Sequence, residues 1–229
     1  MELVPVPDHP ALVSADDGRA LVIADIHLGL EHELLKKGIN LPSQSMVLHA
    51  RIEHLIGVTG ARELILLGDI KHNIPTISAL EAKTMPAFLT FSVPYTLIKG
   101  NHDGAIESLA RHPAHASLRR GDTLFVHGHM RLPDGDYSEV VMGHVHPAIE
   151  ITDELGKRTR EKVWLRGTLP TGVKIVVMPA FNDLITGIPV NRARERLPGP
   201  VLSQEGVDVD SFEAYLLDGT CLGTVESIT

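Results

Sequence analysis

The sequence predicts an α/β protein, a four-layer sandwich of two mixed β-sheets flanked by α-helices, and three observations carry that expectation. Short apolar runs alternate with helical stretches over the first two thirds of the chain, at Ala20–Ala24, Leu64–Leu67, Tyr95–Ile98, Thr123–Val126 and Val140–Met142. Runs this short and this apolar read as strands buried on both faces, as layered α/β domains require. After about Pro147 the texture changes to hairpin-like segments, so the last third supplies mostly antiparallel strands. A length of 229 residues with 43% hydrophobic content suits a folded domain with a sizeable core.

Behind the first strand, Ser43–Val58 sets Leu48, Ile52, Leu55 and Ile56 on one helical face, with Pro42 and a capping-type Ser43 at its start. Thr76–Leu89 reads as a second helix that Pro86 bends or ends. Ala148–Ile151 and Val163–Leu165 flank the turn residues Asp153–Gly156, a hairpin, and Lys174–Met178 is a further strand. Arg192–Pro200 is charged and proline-rich, hence an exposed loop. Phe212–Leu217 and Thr220–Val225 enclose Asp218–Gly219, a strong hairpin turn, expected at an edge or cap of the second sheet. Trp164 and Phe212 are the expected core anchors of these later strands. With no repeat and no linker, residues 1–229 are expected to form a single domain, its motif core at about 20–147 and the strands of 148–229 completing the second sheet.

Several classes fall away. No apolar run approaches the roughly 20 residues that cross a bilayer. Met1–Pro10 lacks the basic start and apolar stretch of a secretory signal. Cys221 stands alone, which excludes an internal disulfide or a thiolate cluster. A cytoplasmic protein with no membrane partner is the expectation; oligomeric state is not legible. Lys+Arg 21 against Asp+Glu 29 leaves a formal charge of −8, the wrong sign for coating nucleic acid, although a local basic patch or bound cations can reverse it at one site.

The chemistry lies just beyond each strand. Asp25 and His27 come after the first, Gly68 and Asp69 after the second, and Gly100, Asn101, His102 and Asp103 just past the third. His127, Gly128 and His129 come after the fourth, and Gly143, His144 and His146 after the fifth. Ligands of α/β sheets gather at the carboxyl ends of strands. A single Asp there is usually a turn or cap. Five such ends in succession, all carrying oxygen or imidazole donors, point to bound cations. His-x-His on an extended segment would turn both rings to one side. Carboxylates, imidazoles and one amide without thiolate suit manganese, iron or zinc. Seven donors exceed one tetrahedral zinc and fit two metals sharing a bridging carboxylate. Such pairs, roughly 3.5–4 Å apart, recur in phosphoryl chemistry.

Asp25-Ile-His27, Gly68-Asp69, Gly100-Asn101-His102-Asp103, His127 and Gly143-His144-Val145-His146 resemble the five ordered motifs of the calcineurin-like metallophosphoesterase superfamily. Ala24–Gly29 (ADIHLG) and Gly143–Pro147 (GHVHP) more narrowly resemble archaeal members and bacterial ligase-associated phosphoesterases. The resemblance implies two divalent metal ions, Mn2+ first, with Fe, Zn, Ni or Mg as alternatives. It implies that Asp25, His27 and His146 hold one ion, that Asn101, His127 and His144 hold the other, and that Asp69 bridges them. A hydroxide between the ions would attack phosphorus in line, while His102, not a ligand, would protonate the leaving oxygen. His129 would stand at the mouth of the site or on the surface.

One departure matters. Many relatives read Gly-Asp-x-x-Asp, the second acid fixing the catalytic histidine; here the segment is Gly68-Asp69-Ile70-Lys71-His72. His72 cannot supply that negative charge, so either Asp103 orients His102 or His102 works without a carboxylate partner. Lys71 faces solvent or the substrate phosphate. Glu31 and Glu33 read as a solvated helix face, His32, His49 and His54 as solvent-facing or packed, and His112 and His115 as loop residues.

The resulting expectation is a dinuclear-metal phosphoesterase, a phosphodiesterase acting on a small phosphate-ester substrate or a nucleic-acid end. The alternatives are a DNA end-processing nuclease and a non-catalytic binding scaffold of the same fold.

Overall fold

The computed structural model describes residues 2–15, 18–74, 76–110, 112–192 and 197–228. Part of the expected Arg192–Pro200 loop, residues 193–196, lies outside them. Six strands form the first sheet: β1 (Leu3–Pro5), β2 (Ala11–Ser14), β3 (Ala20–Ile23), β4 (Glu63–Leu67), β5 (Tyr95–Ile98) and β6 (Ala114–His115), in that spatial order. β1, β2 and β3 run antiparallel, whereas β3 through β6 are parallel. The second sheet takes β7 (Ser117–Arg120), β8 (Thr123–Val126), β9 (Glu139–Met142), β10 (Pro147–Thr152), β11 (Arg158–Thr168), β12 (Lys174–Val177) and β13 (Ile188–Pro189), ordered β13-β10-β11-β12-β9-β8-β7. The hairpin β14 (Glu213–Leu216) and β15 (Cys221–Thr224) joins it through β11. β8 and β9 are parallel neighbours, as are β9 and β12, so this sheet is mixed as well.

Strand alternation explains the layering. On β3 and β4, Leu21, Ile23, Leu64 and Leu66 pack under Leu48, Ile52, Leu55 and Ile56 of helix α2 (Ser45–Thr59) and Met85 and Phe88 of helix α3 (Ala79–Phe88). Their neighbours Ala20, Val22, Ile65 and Leu67 point the other way, onto Phe125, Val141, Trp164 and Val176 of the second sheet. Trp164 is therefore the filling between sheets. The outer face of the second sheet is closed by Val201, Leu202, Phe212 and Val225, from coil and 3-10 turns rather than long helices.

The helices are shorter than the pattern suggests, and a further one, α1, spans only Leu30–Lys36. Ser43 does not cap α2; its hydroxyl reaches Glu31 and Ser45, and Gln44 holds the cap position. α3 starts at Ser78, which forms a reciprocal capping box with Glu81, and Pro86 sits inside its last turn. β1 and β2 leave no clear mark in the sequence, because three or four residues carry too little periodicity.

Candidate metal centre

The functional side chains stand beyond the carboxyl ends of β3, β4, β5, β8 and β9, all parallel strands. The loops after β3 and β4 stay paired past the strands: Asp25 N–H donates to Gly68 O, His27 N–H to Asp69 O and His72 N–H to Leu28 O. Among the described residues, eight non-glycine positions have positive φ, and five of them are Asp25, His27, Asp69, His144 and His146. Asp and His tolerate the left-handed region better than most side chains, yet a cluster of such residues marks strain retained for function.

The triplets Asp25-Ile26-His27 and His144-Val145-His146 use the same device. Ile26 is fully buried in the helix-side core, and Val145 is fully buried beneath the second sheet. The flanking left-handed residues turn outward together. His144-Val145-His146 is accordingly not an extended segment, and its rings part company: His146 joins Asp25, His27 and Asp69, while His144 joins Asp69 and His127.

These are two groups of donors, each close enough for one cation, and they share Asp69. In the first, His146 Nε2 lies 3.2 Å from Asp25 Oδ1, and His27 Nε2 lies 3.3 Å from His146 Nε2 and 3.5 Å from Asp69 Oδ2. In the second, His127 Nε2 lies 3.3 Å from the same Asp69 Oδ2 and 3.3 Å from Asn101 Oδ1. Nitrogen and oxygen atoms converging at such separations from five loops fit ligands gathered around an ion. Burial pushes His27 down to about 3 and His144 down to about 4, which keeps both rings neutral. Burial also pulls on His127, but its hydrogen bond to Asp69 and the charges of Asp25 and Asp69 outweigh that and lift it to about 9. The donor set fits two divalent cations.

The two sheets can meet here because glycines stand at the seam. A Cβ on Gly68 would overlap the His127 ring, and one on Gly143 would press on Asp25 Oδ2 and Ala24. The His144 N–H instead donates to Asp25 Oδ2 at 3.0 Å.

The histidine of the Gly-Asn-His segment is held by backbone. His102 N–H donates to Asp69 Oδ1 at 2.8 Å, and His102 Nδ1 lies 2.5 Å from the carbonyl oxygen of His72. Of the two readings left open for His102, orientation by Asp103 is corrected. The Asp103 carboxylate accepts from the Ile70, Lys71 and Gly100 amides at 2.8, 3.2 and 2.9 Å, tying the β4 and β5 loops together. Burial pushes this carboxyl up to about 6. His72 reaches His102 through its main chain, and its ring lies beside that of His102, centroids 5.4 Å apart.

Lys71 is a second correction. It is fully buried, neither in solvent nor at the donors, and its ammonium donates to the carbonyls of Asn73 and Thr76. Glu81 is buried beside it, accepting from the Asn73 and Ser78 amides. Glu31 is a third, and Glu33 only in part, since its side chain stays 45% exposed. Glu31 is buried and accepts from the Gln44 amide, and Glu33 Oε2 lies 2.7 Å from His72 Nε2. Sequence spacing misses the Glu33 pairing because a helix of seven residues shows no face that would distinguish a docked glutamate from a solvated one. His129 is half-buried, its ring 5.3 Å from that of His127. His49 stacks on Phe91 and bonds to the Thr90 carbonyl.

The Calcineurin-like phosphoesterase family matches residues 18–182, which include every donor named above. The chain belongs to that family. No curated protein matches it. Among solved structures it is similar to the Pseudomonas putida nuclease MPE, with 19% identity, 95% of this chain and 98% of that one covered, and a TM-score of 0.57. A second, the E. coli phosphoesterase Yfce, has 16% identity, 92% and 99% coverage and a TM-score of 0.42. No helix among the described residues is long and apolar enough to cross a membrane.

Proposed function

We propose that this member of the calcineurin-like phosphoesterase family is a two-metal phosphodiesterase that cleaves DNA, at ends or in single strands. The observation that carries the metal reading is Asp69 Oδ2, approached by His27 from one donor group and by His127 from the other, at 3.5 and 3.3 Å. Asp25, His27, His146 and Asp69 would hold one cation, and Asn101, His127, His144 and Asp69 its neighbour. Bound there, two divalent ions lower the pKa of water and neutralise charge on a phosphoryl group. His102, fixed at its amide and at Nδ1, keeps Nε2 free, 3.9 Å from Asp69 Oδ2, to carry a proton to the leaving oxygen. The reading takes residues 1–229 as one domain, since both sheets contribute donors.

Two cavities lie on the His127 side of the centre and could take a substrate larger than a small ester. A cavity of about 120 Å³ beside His127 and His129 and one of about 880 Å³ beyond it share Arg131 and Pro133. The larger is lined by Tyr137 and Gln204, with Asp134 and Glu205 opposing Arg131 in charge. The Pseudomonas putida protein of the same fold is described as a nuclease, and the narrower resemblance to ligase-associated enzymes favours nucleic-acid ends too. The net charge of −8 favours the second reading, a small diester, and implies weak binding of long strands.

The test is metal analysis followed by Mn2+-supplemented assays on single-stranded, nicked and blunt DNA beside a small aryl diester. Cleavage of DNA, abolished by chelation, is expected, and His102→Ala should lower it by about 10²–10⁴-fold with metal content unchanged. Two bound ions with turnover of the small diester alone would overturn the DNA assignment, and two bound ions with no hydrolysis would leave a scaffold.

A further inference from the structure

We infer that Glu33 is a positioning residue of this centre, setting through His72 the proton position on His27. The inference rests on the metal reading above. Where related sequences place an acid three residues beyond the bridging aspartate, this chain has His72, and the carboxylate arrives instead from α1.

An ionised carboxylate only accepts. Glu33 Oε1 lies 2.5 Å from the Lys37 ammonium and Oε2 lies 2.7 Å from His72 Nε2. The hydrogen bonds from Lys37 and then His72 hold the Glu33 carboxyl down to about 2. Facing that acceptor, His72 carries its proton on Nε2, which leaves Nδ1 with a lone pair in the neutral ring. That lone pair meets His27 Nδ1 at 3.2 Å. One of the two atoms must carry hydrogen, so His27 is protonated on Nδ1. Its Nε2 lone pair then points to the group formed with Asp69 and His146, as a ligand requires.

His102 is held independently of Glu33. A carbonyl only accepts, so His102 Nδ1, 2.5 Å from His72 O, carries its hydrogen there and presents Nε2 to the centre. His27, His72 and His102 also lie close enough to hold a cation by themselves.

The experiment uses the full chain. Long-range proton–nitrogen spectra of the imidazoles, recorded on metal-free protein, report tautomers directly; Mn2+ titration calorimetry reports affinity. Wild-type protein should show His72 as the Nε2–H form and His27 as the Nδ1–H form. Glu33→Met should scramble the His72 tautomer and weaken Mn2+ binding by about tenfold. Glu33→Gln, which keeps an acceptor oxygen, should restore the tautomer and most of the affinity. An Nδ1–H form of His72 in wild-type protein, or a Glu33→Met variant with unchanged spectra and affinity, would overturn the inference. Failure of the nuclease reading looks different: wild-type tautomers would stand as described while no DNA is cut.

Discussion

The triplet Asp25-Ile26-His27 at the end of β3 and the triplet His144-Val145-His146 at the end of β9 have the same backbone and opposite chemistry. In both, the outer residues have positive φ and the middle one is sunk in a core. The first sheet brings all the oxygen donors, Asp25, Asp69 and Asn101, and the single ring of His27. The second brings only imidazoles, His127, His144 and His146. Neither sheet could balance two dications alone: one has too few donors, and the other has no negative charge. The capacity to hold two cations is therefore a property of the seam, and it depends on how closely the sheets approach.

The largest break in that comparison is at the shared carboxylate. Asp69→Asn should reduce hydrolysis at least about a hundredfold, beyond what loss of an outer partner usually costs. Metal content should fall below one ion per chain. His146→Ala removes a donor from one group only and should leave about one ion, counted by plasma mass spectrometry. Equal metal content in the two variants would mean that the groups do not share Asp69.

The next test widens the seam without removing a donor. Gly143→Ala puts a methyl 2.5 Å from Asp25 Oδ2 and 2.9 Å from the Ala24 Cβ. Overpacking of this kind costs about 1–3 kcal/mol. In a protein of this size that is a fall in Tm of about 2–10 °C, and Mn2+ affinity should drop with it. A variant with wild-type Tm and affinity would show that the sheets have room to spare.

The smallest effect is at the rim. Asp183 joins Arg51 of α2 at 2.9 Å and Lys162 of β11 at 3.3 Å, linking the helix layer to the second sheet. Burial raises its carboxyl, but Arg51 and Lys162 more than offset this, so it sits below its ordinary 3.8. A carboxyl lowered by folding stabilises above its unfolded pKa, and that contribution is lost as pH falls through the lower folded value. The side chain is 76% exposed, so solvent screening keeps the effect under about 1 kcal/mol. Asp183→Asn should lower Tm by no more than about 3 °C at pH 7, and the difference should shrink as pH falls below the ordinary carboxyl value and through the lower folded one. A difference that persists in acid would assign the loss to packing.

Much of the site was legible because each donor is locally marked. A four- or five-residue apolar run ending in Gly-Asp or Gly-His states both a buried parallel strand and a polar strand end. The hairpins at Asp153–Gly156 and Asp218–Gly219 were legible for the same reason, since their turn chemistry is local. The burial of Lys71 and Glu31 was not legible. Their partners are main-chain groups of irregular loops, Asn73, Thr76 and Gln44, whose course no periodicity encodes.

The sequence by itself determined the donor types, their order at five strand ends, and the two-sheet layering, because strand burial and turn residues are decided by near neighbours along the chain. Only the tertiary structure decided that Lys71 and Glu31 are buried, that Asp103 fastens loops instead of orienting His102, and that Glu33 reaches His72 from 39 residues away. Those outcomes depend on where α1 docks and on the left-handed turns at the strand ends, which are set by packing across the molecule and leave no local trace.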